Sequence, residues 1–109
     1  MKKLVMFQGY EFEIWFTRYT LDDSICIALK SDDAGWFKAT TCIGYIVPEE
    51  GHVMIKNYSE NEGILEVLGK AGVISPSITK YSLSQFAEAD LCKLLVQPVF
   101  GKPLEVSNA

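Results

Sequence analysis

The sequence predicts an α+β fold, a single domain in which an antiparallel meander sheet of about five or six strands carries one packed helix. Three observations lead there. Short apolar stretches alternate with turn chemistry through the first two-thirds of the chain, Tyr10 to Thr17 alternates cleanly between apolar and polar residues, and one helix signal begins at Ser59. Turns this short join antiparallel neighbours, since a parallel crossover needs a dozen residues or more.

Leu4 to Phe7 reads as a first strand, with Gln8-Gly9 as a two-residue hairpin loop. Tyr10, Phe12, Ile14 and Phe16 then share one face of a second strand, leaving Trp15 among Glu11, Glu13 and Thr17 on the other. Either a helix covers that side or an indole faces solvent or a partner. After the turn at Leu21-Asp22-Asp23-Ser24, Ile25, Ile27 and Leu29 line a third strand. Trp36 to Val47, rich in aromatic and β-branched residues and with Gly44 as a bulge candidate, reads as a fourth, closed by Pro48. Val53 to Ile55 reads as a fifth.

Ser59-Glu60-Asn61-Glu62 has the Ser-x-x-Glu capping-box pattern, in which the serine oxygen accepts an amide and the glutamate reaches back. Ile64, Leu65, Leu68 and Ala71 form an apolar stripe beyond it. Gly72 suits a left-handed helix terminus, with Val73 placed to touch Leu68. About twelve residues fit between these caps. Residues 84–95 fit both a strand and a helix pattern, and the strand reading is preferred. The globular domain is assigned to residues 1–95, and residues 96–109, with Pro98, Gly101 and Pro103, to an irregular tail whose last few residues are mobile.

Hydrophobic residues make up 49% and charged ones 22%, which argues against disordered and fibrous classes. The net charge of −4 argues against direct nucleic-acid binding. Residues 1–30 and 63–109 each balance four basic against four acidic side chains, whereas residues 31–62 hold two against six, so the whole excess lies in the middle. No apolar run is long enough to span a membrane, no leader pattern is evident, and three unpaired cysteines suit a reducing compartment, so the expected setting is cytoplasmic.

The residues offer little local catalytic chemistry. Cys26, Cys42, Cys92 and the lone His52 lack metal-ligand spacing, and His52 follows Gly51 in a turn rather than an evident nucleophile–base arrangement. Asp32-Asp33 and Glu49-Glu50 read as solvated turn residues. No phosphate loop, nucleophile elbow or calcium loop is present. The expectation is therefore a protein that is not an enzyme and needs neither metal nor cofactor.

The stretch Val53-Met54-Ile55-Lys56-Asn57-Tyr58-Ser59-Glu60-Asn61-Glu62-Gly63-Ile64-Leu65 resembles a family of small proteins carried by plasmids, integrative conjugative elements and phages. The likeness is densest over residues 53–73 and looser at Phe16 to Tyr19 and Thr40-Thr41. The resemblance implies a mobile genetic setting more than a mechanism. Small acidic proteins of that setting often bind host proteins, so the expected function is a non-catalytic interaction module that inhibits a host defence or restriction protein. The expected partner surface comprises Trp15, Lys56, Asn57, Tyr58, Glu60 and Asn61, with a homodimer as a further possibility. The alternative is a small-ligand or nucleotide-binding accessory protein, although Glu60 and Glu62 oppose an anion at the helix start, or a structural domain without such a site.

Overall fold

The computed structural model describes residues 1–106. Among them lie two antiparallel sheets and one α-helix, so the α+β class holds. The single meander sheet of five or six strands does not. Strands β1 (Leu4–Phe7), β2 (Tyr10–Arg18), β3 (Ile25–Ser31) and β4 (Gly35–Lys38) form a four-stranded sheet in that order. Strands β5 (His52–Lys56), β6 (Thr79–Ser84) and β7 (Ala87–Lys93) form a second, in the order β5-β7-β6.

The meander breaks for two physical reasons. Strand β4 ends at Lys38, well short of Val47, and the next residues change sheets. The Ala39 amide donates to the Ile27 carbonyl in the first sheet, while the Ala39 carbonyl accepts from Lys56 in the second. Gly44 then adopts φ +82°, and residues 42–51 run as a loop without a strand ladder. The helix also separates β5 from β6, so β6 returns to the outside of β7 and not beside β5. The strand reading of residues 84–95 resolves into the end of β6, a turn at Gln85-Phe86, and β7.

The inner face of the first sheet carries Val5, Phe7, Phe12, Ile14, Phe16, Ile27 and Leu29, all buried, as alternation requires. They pack with Val53, Ile55 and Cys92 of the second sheet and with Ile64 and Leu68 of the helix α1 (Ile64–Lys70). Residues 96–106 have no regular structure but are docked. The Gly101 and Leu104 amides donate to the Phe16 and Ile14 carbonyls, and Val96 and Leu104 pack on the core. The segment thus satisfies the stretch of β2 edge that β1 does not reach. The mobility expected of the last few residues falls in part on 107–109, outside the described residues.

The helix is shorter than its sequence pattern and starts differently. Ser59–Asn61 forms a single 3-10 turn with Ser59 at φ +55°, so its hydroxyl is not in capping geometry and makes no cap bond. Gly63, at φ +99°, precedes the helix, and its Cα lies close enough to the sheet that an added Cβ would sit 3.7 Å from the Phe7 ring. The helix end follows the sequence. Gly72 is left-handed at φ +78°, its amide donates to Gly69, and the Val73 amide donates to Leu68, the paired bonds of a Schellman motif.

Candidate functional site

The strand-to-helix junction brings together five of the residues singled out in the sequence, and most of their polar groups are spent on the fold. The Asn57 side-chain oxygen accepts from the Gly63 and Leu65 amides, both at 3.0 Å, and so caps the helix in place of Ser59. Asn61 is 2% exposed, and its amide nitrogen donates to the Lys38 carbonyl at 2.7 Å, tying the 3-10 turn to β4. Lys56 donates to Glu60 at 2.7 Å and lies 5.6 Å from the centre of the Tyr58 ring. That lysine hydrogen bond, ahead of other contributions, holds the Glu60 carboxyl below its usual range. The Glu60 carbonyl is taken by the Gln8 side chain at 2.8 Å.

Trp15 belongs to the other sheet. The helix packs on the inner side with the core, leaving Trp15 on the opposite face, where its indole is half-buried by neighbours in its own sheet. Its Nε1 donates to Glu13 at 2.9 Å, and its ring meets Trp36 edge-on at 5.3 Å between centres. Trp36 is 56% exposed. The Lys30 ammonium lies 5.9 Å from the Trp15 ring and 5.7 Å from the Trp36 ring, within cation–π range of both.

The strand registers put this face in rows. Leu4 lies opposite Glu13, Glu13 opposite Lys30, and Lys30 opposite Trp36, giving one row across all four strands. The next row runs from Pro103 through Trp15 and Ala28 to Lys38. Leu4 and Met6 are exposed beside the acidic column of β2. The Lys2 ammonium donates to Glu13 at 2.6 Å, and that bond, followed by the one from Trp15, holds the Glu13 carboxyl below its usual range. The face therefore combines a prearranged aromatic pair with fixed charges of both signs. Of these residues Lys30, Leu4 and Met6 escaped the sequence reading. The available signal was that Leu4 to Phe7 is apolar on both faces, which an edge strand with a solvated outer side does not need.

Elsewhere the chemistry is muted. Burial pushes the Cys92 thiol up to about 11, and burial together with a hydrogen bond to Asp22 raises that of Cys42, so both thiols are held protonated. Glu50 pairs with Arg18 at 2.9 Å. Among the described residues no three His, Cys, Asp or Glu side chains converge on a point that could hold a metal. The loop after β4 and the second sheet flank a half-open pocket of about 400 Å³ whose lining includes Ile46, Val47, Glu49, His52, Met54 and Leu91. The His52 Nδ1 is buried without a hydrogen-bond partner. No helix among the described residues is long and apolar enough to cross a membrane.

No family model, curated protein or solved structure matches the chain.

Proposed function

We propose that this protein is a non-catalytic protein-binding module whose working surface is the outer face of the four-stranded sheet. The observation that carries the reading is the exposed Trp36, held edge-on against Trp15 with Lys30 beside both. A large aromatic side chain loses little conformational freedom on binding and is a frequent anchor of protein interfaces. The mobile-element setting implied by the resemblance at residues 53–65 supports a host defence or restriction protein among the partners.

The chain contains two tryptophans, and both stand on this face, so their emission reports its occupancy directly. A partner binding there shifts the emission to the blue, and Trp36→Ala weakens binding by at least about tenfold, the loss typical of an interface anchor. Partner binding that leaves the emission unchanged and survives Trp36→Ala would move the interface elsewhere and sink the assignment.

The pocket beneath residues 46–48 favours a second reading, a small-ligand accessory protein, because its volume lies in the range of ligand sites and its walls are mostly apolar. Titration with anilinonaphthalene sulfonate separates the two. Saturable fluorescence enhancement abolished by Met54→Trp supports a ligand site, whereas no saturation, or saturation indifferent to that substitution, removes this reading.

A further inference from the structure

The outer face of the four-stranded sheet is complementary to itself. Consider a two-fold axis parallel to the strands, lying between β2 and β3. It places β1 over β4 of a second copy and β2 over β3, and it keeps each row at its own level. The row Leu4, Glu13, Lys30, Trp36 then meets itself reversed. Leu4 lies over Trp36 of the second copy, and Glu13 over Lys30. In the neighbouring row Trp15 lies over Ala28, a large side chain against a small one. The other in-plane two-fold, perpendicular to the strands, superposes each strand on its own copy, and centred on this row it sets Glu13 against Glu13 and Lys30 against Lys30, a like-charge arrangement that specific interfaces avoid.

We propose that this face is the interface of a homodimer related by the strand-parallel two-fold, with Glu13 of each copy opposite Lys30 of the other. The proposal rests on reading the face as a protein-binding surface and names its occupant. Isologous contact of this kind requires one patch to carry both halves of every complementary pair, and this row does. The apolar ends, Leu4 and Trp36, are the exposed large hydrophobic residues of that row, and the second copy covers both. Two twisted sheets packed face to face keep their strands within about 30° of one another, which the strand-parallel axis allows.

The experiment is sedimentation of the full chain over a concentration series, for wild type, Glu13→Lys, Lys30→Glu, and an equimolar mixture of the two variants. Wild type is expected to show concentration-dependent dimer. Each variant alone places like charges across the axis and should associate at least about tenfold more weakly. In the mixed pair both contacts between positions 13 and 30 across the interface are again opposite in sign, so association returns. Because each variant loses its intrachain Glu13–Lys30 attraction both alone and in the mixture, recovery on mixing isolates the contact between copies. Ala28→Arg, which places a long charged side chain where Trp15 of the second copy would lie, should also prevent the dimer, with an unchanged circular dichroism spectrum showing that the chain is folded.

Wild type that stays monomeric throughout, or a dimer unaffected by the single variants and by Ala28→Arg, overturns the proposal. A monomer whose tryptophan emission still shifts on binding a different protein overturns the homodimer and leaves the face as a protein-binding surface. A monomer whose emission responds to no partner, host fractions included, overturns both.

Discussion

One amide oxygen on Asn57 settles where the helix begins. Two backbone amides, those of Gly63 and Leu65, point at it, and without it both lose their side-chain acceptor. Asn57→Ala should cost about 1–2 kcal/mol, in line with the loss of a helix cap, whereas Ser59→Ala should be close to neutral because its hydroxyl makes no cap bond. Urea unfolding midpoints of the two variants check the contrast. Ser59→Gly should stabilise by a few tenths of a kcal/mol or more, since Ser59 holds the left-handed region that glycine adopts freely. The Ser-x-x-Glu pattern identified the neighbourhood but not the capping residue, because a cap depends on the backbone angle at one position, which packing decides.

Glu13 makes the second residue-scale case. Its carboxyl is held low chiefly by the Lys2 hydrogen bond and then by that from Trp15, so the folded state favours the charged form more than the unfolded chain does. The stability it contributes is present above the unfolded value near pH 4.3 and is lost as pH falls through the lower folded value. Glu13→Gln should therefore flatten the fall in stability below about pH 4–5, measured as urea midpoints across an acid series. A variant with the same acid slope as wild type would show that the pair contributes nothing.

At the scale of elements, strands with one buried face were legible and strands defined by their neighbours were not. The alternation in β2 and β3 reports burial directly, and both strands lie close to where the pattern places them. Trp36 to Val47 carries the same residue types, yet its strand stops at Lys38 because the backbone has partners in two sheets within three residues. Strand β6 escaped the sequence reading except at its last residue, Ser84. It lies at a sheet edge with most side chains exposed, so no apolar period marks it. Its role is shown by Lys80, which donates at 2.6 Å to Asp90, a residue of β7 only 2% exposed. Lys80→Met leaves that carboxylate buried without its cation and should destabilise the fold by about 1–3 kcal/mol. The double change with Asp90→Asn should recover part of the loss, as thermal melts of the three variants can establish. Gly72, whose left-handed angle the sequence did reveal, closes the helix, and Gly72→Ala should cost about 1 kcal/mol or more.

For the whole molecule, the sequence located the apolar faces but not the number of layers. Each strand pattern states which side is buried without stating against what, and two sheets facing one core satisfy the same alternation as one sheet facing a helix. The candidate site was legible to the same degree. Trp15 stood out against its polar neighbours, but the row that surrounds it draws on four strands and exists only once their registers are fixed. A face assembled this way is sensitive to slippage, because a one-residue shift of β3 would bury Lys30 and turn Leu29 outward.

The joint at Ala39 bears on how the molecule opens. That residue is fully buried and bonds backward into the first sheet through its amide and forward into the second through its carbonyl. Neither sheet can fray from this side without exposing the Ala39 and Lys56 amides together. Native-state hydrogen exchange should therefore find these two among the slowest amides and release them with the same free energy as global unfolding, making the two sheets a single foldon. Slow exchange in one sheet beside fast exchange at Ala39 would instead mean that the layers come apart in sequence.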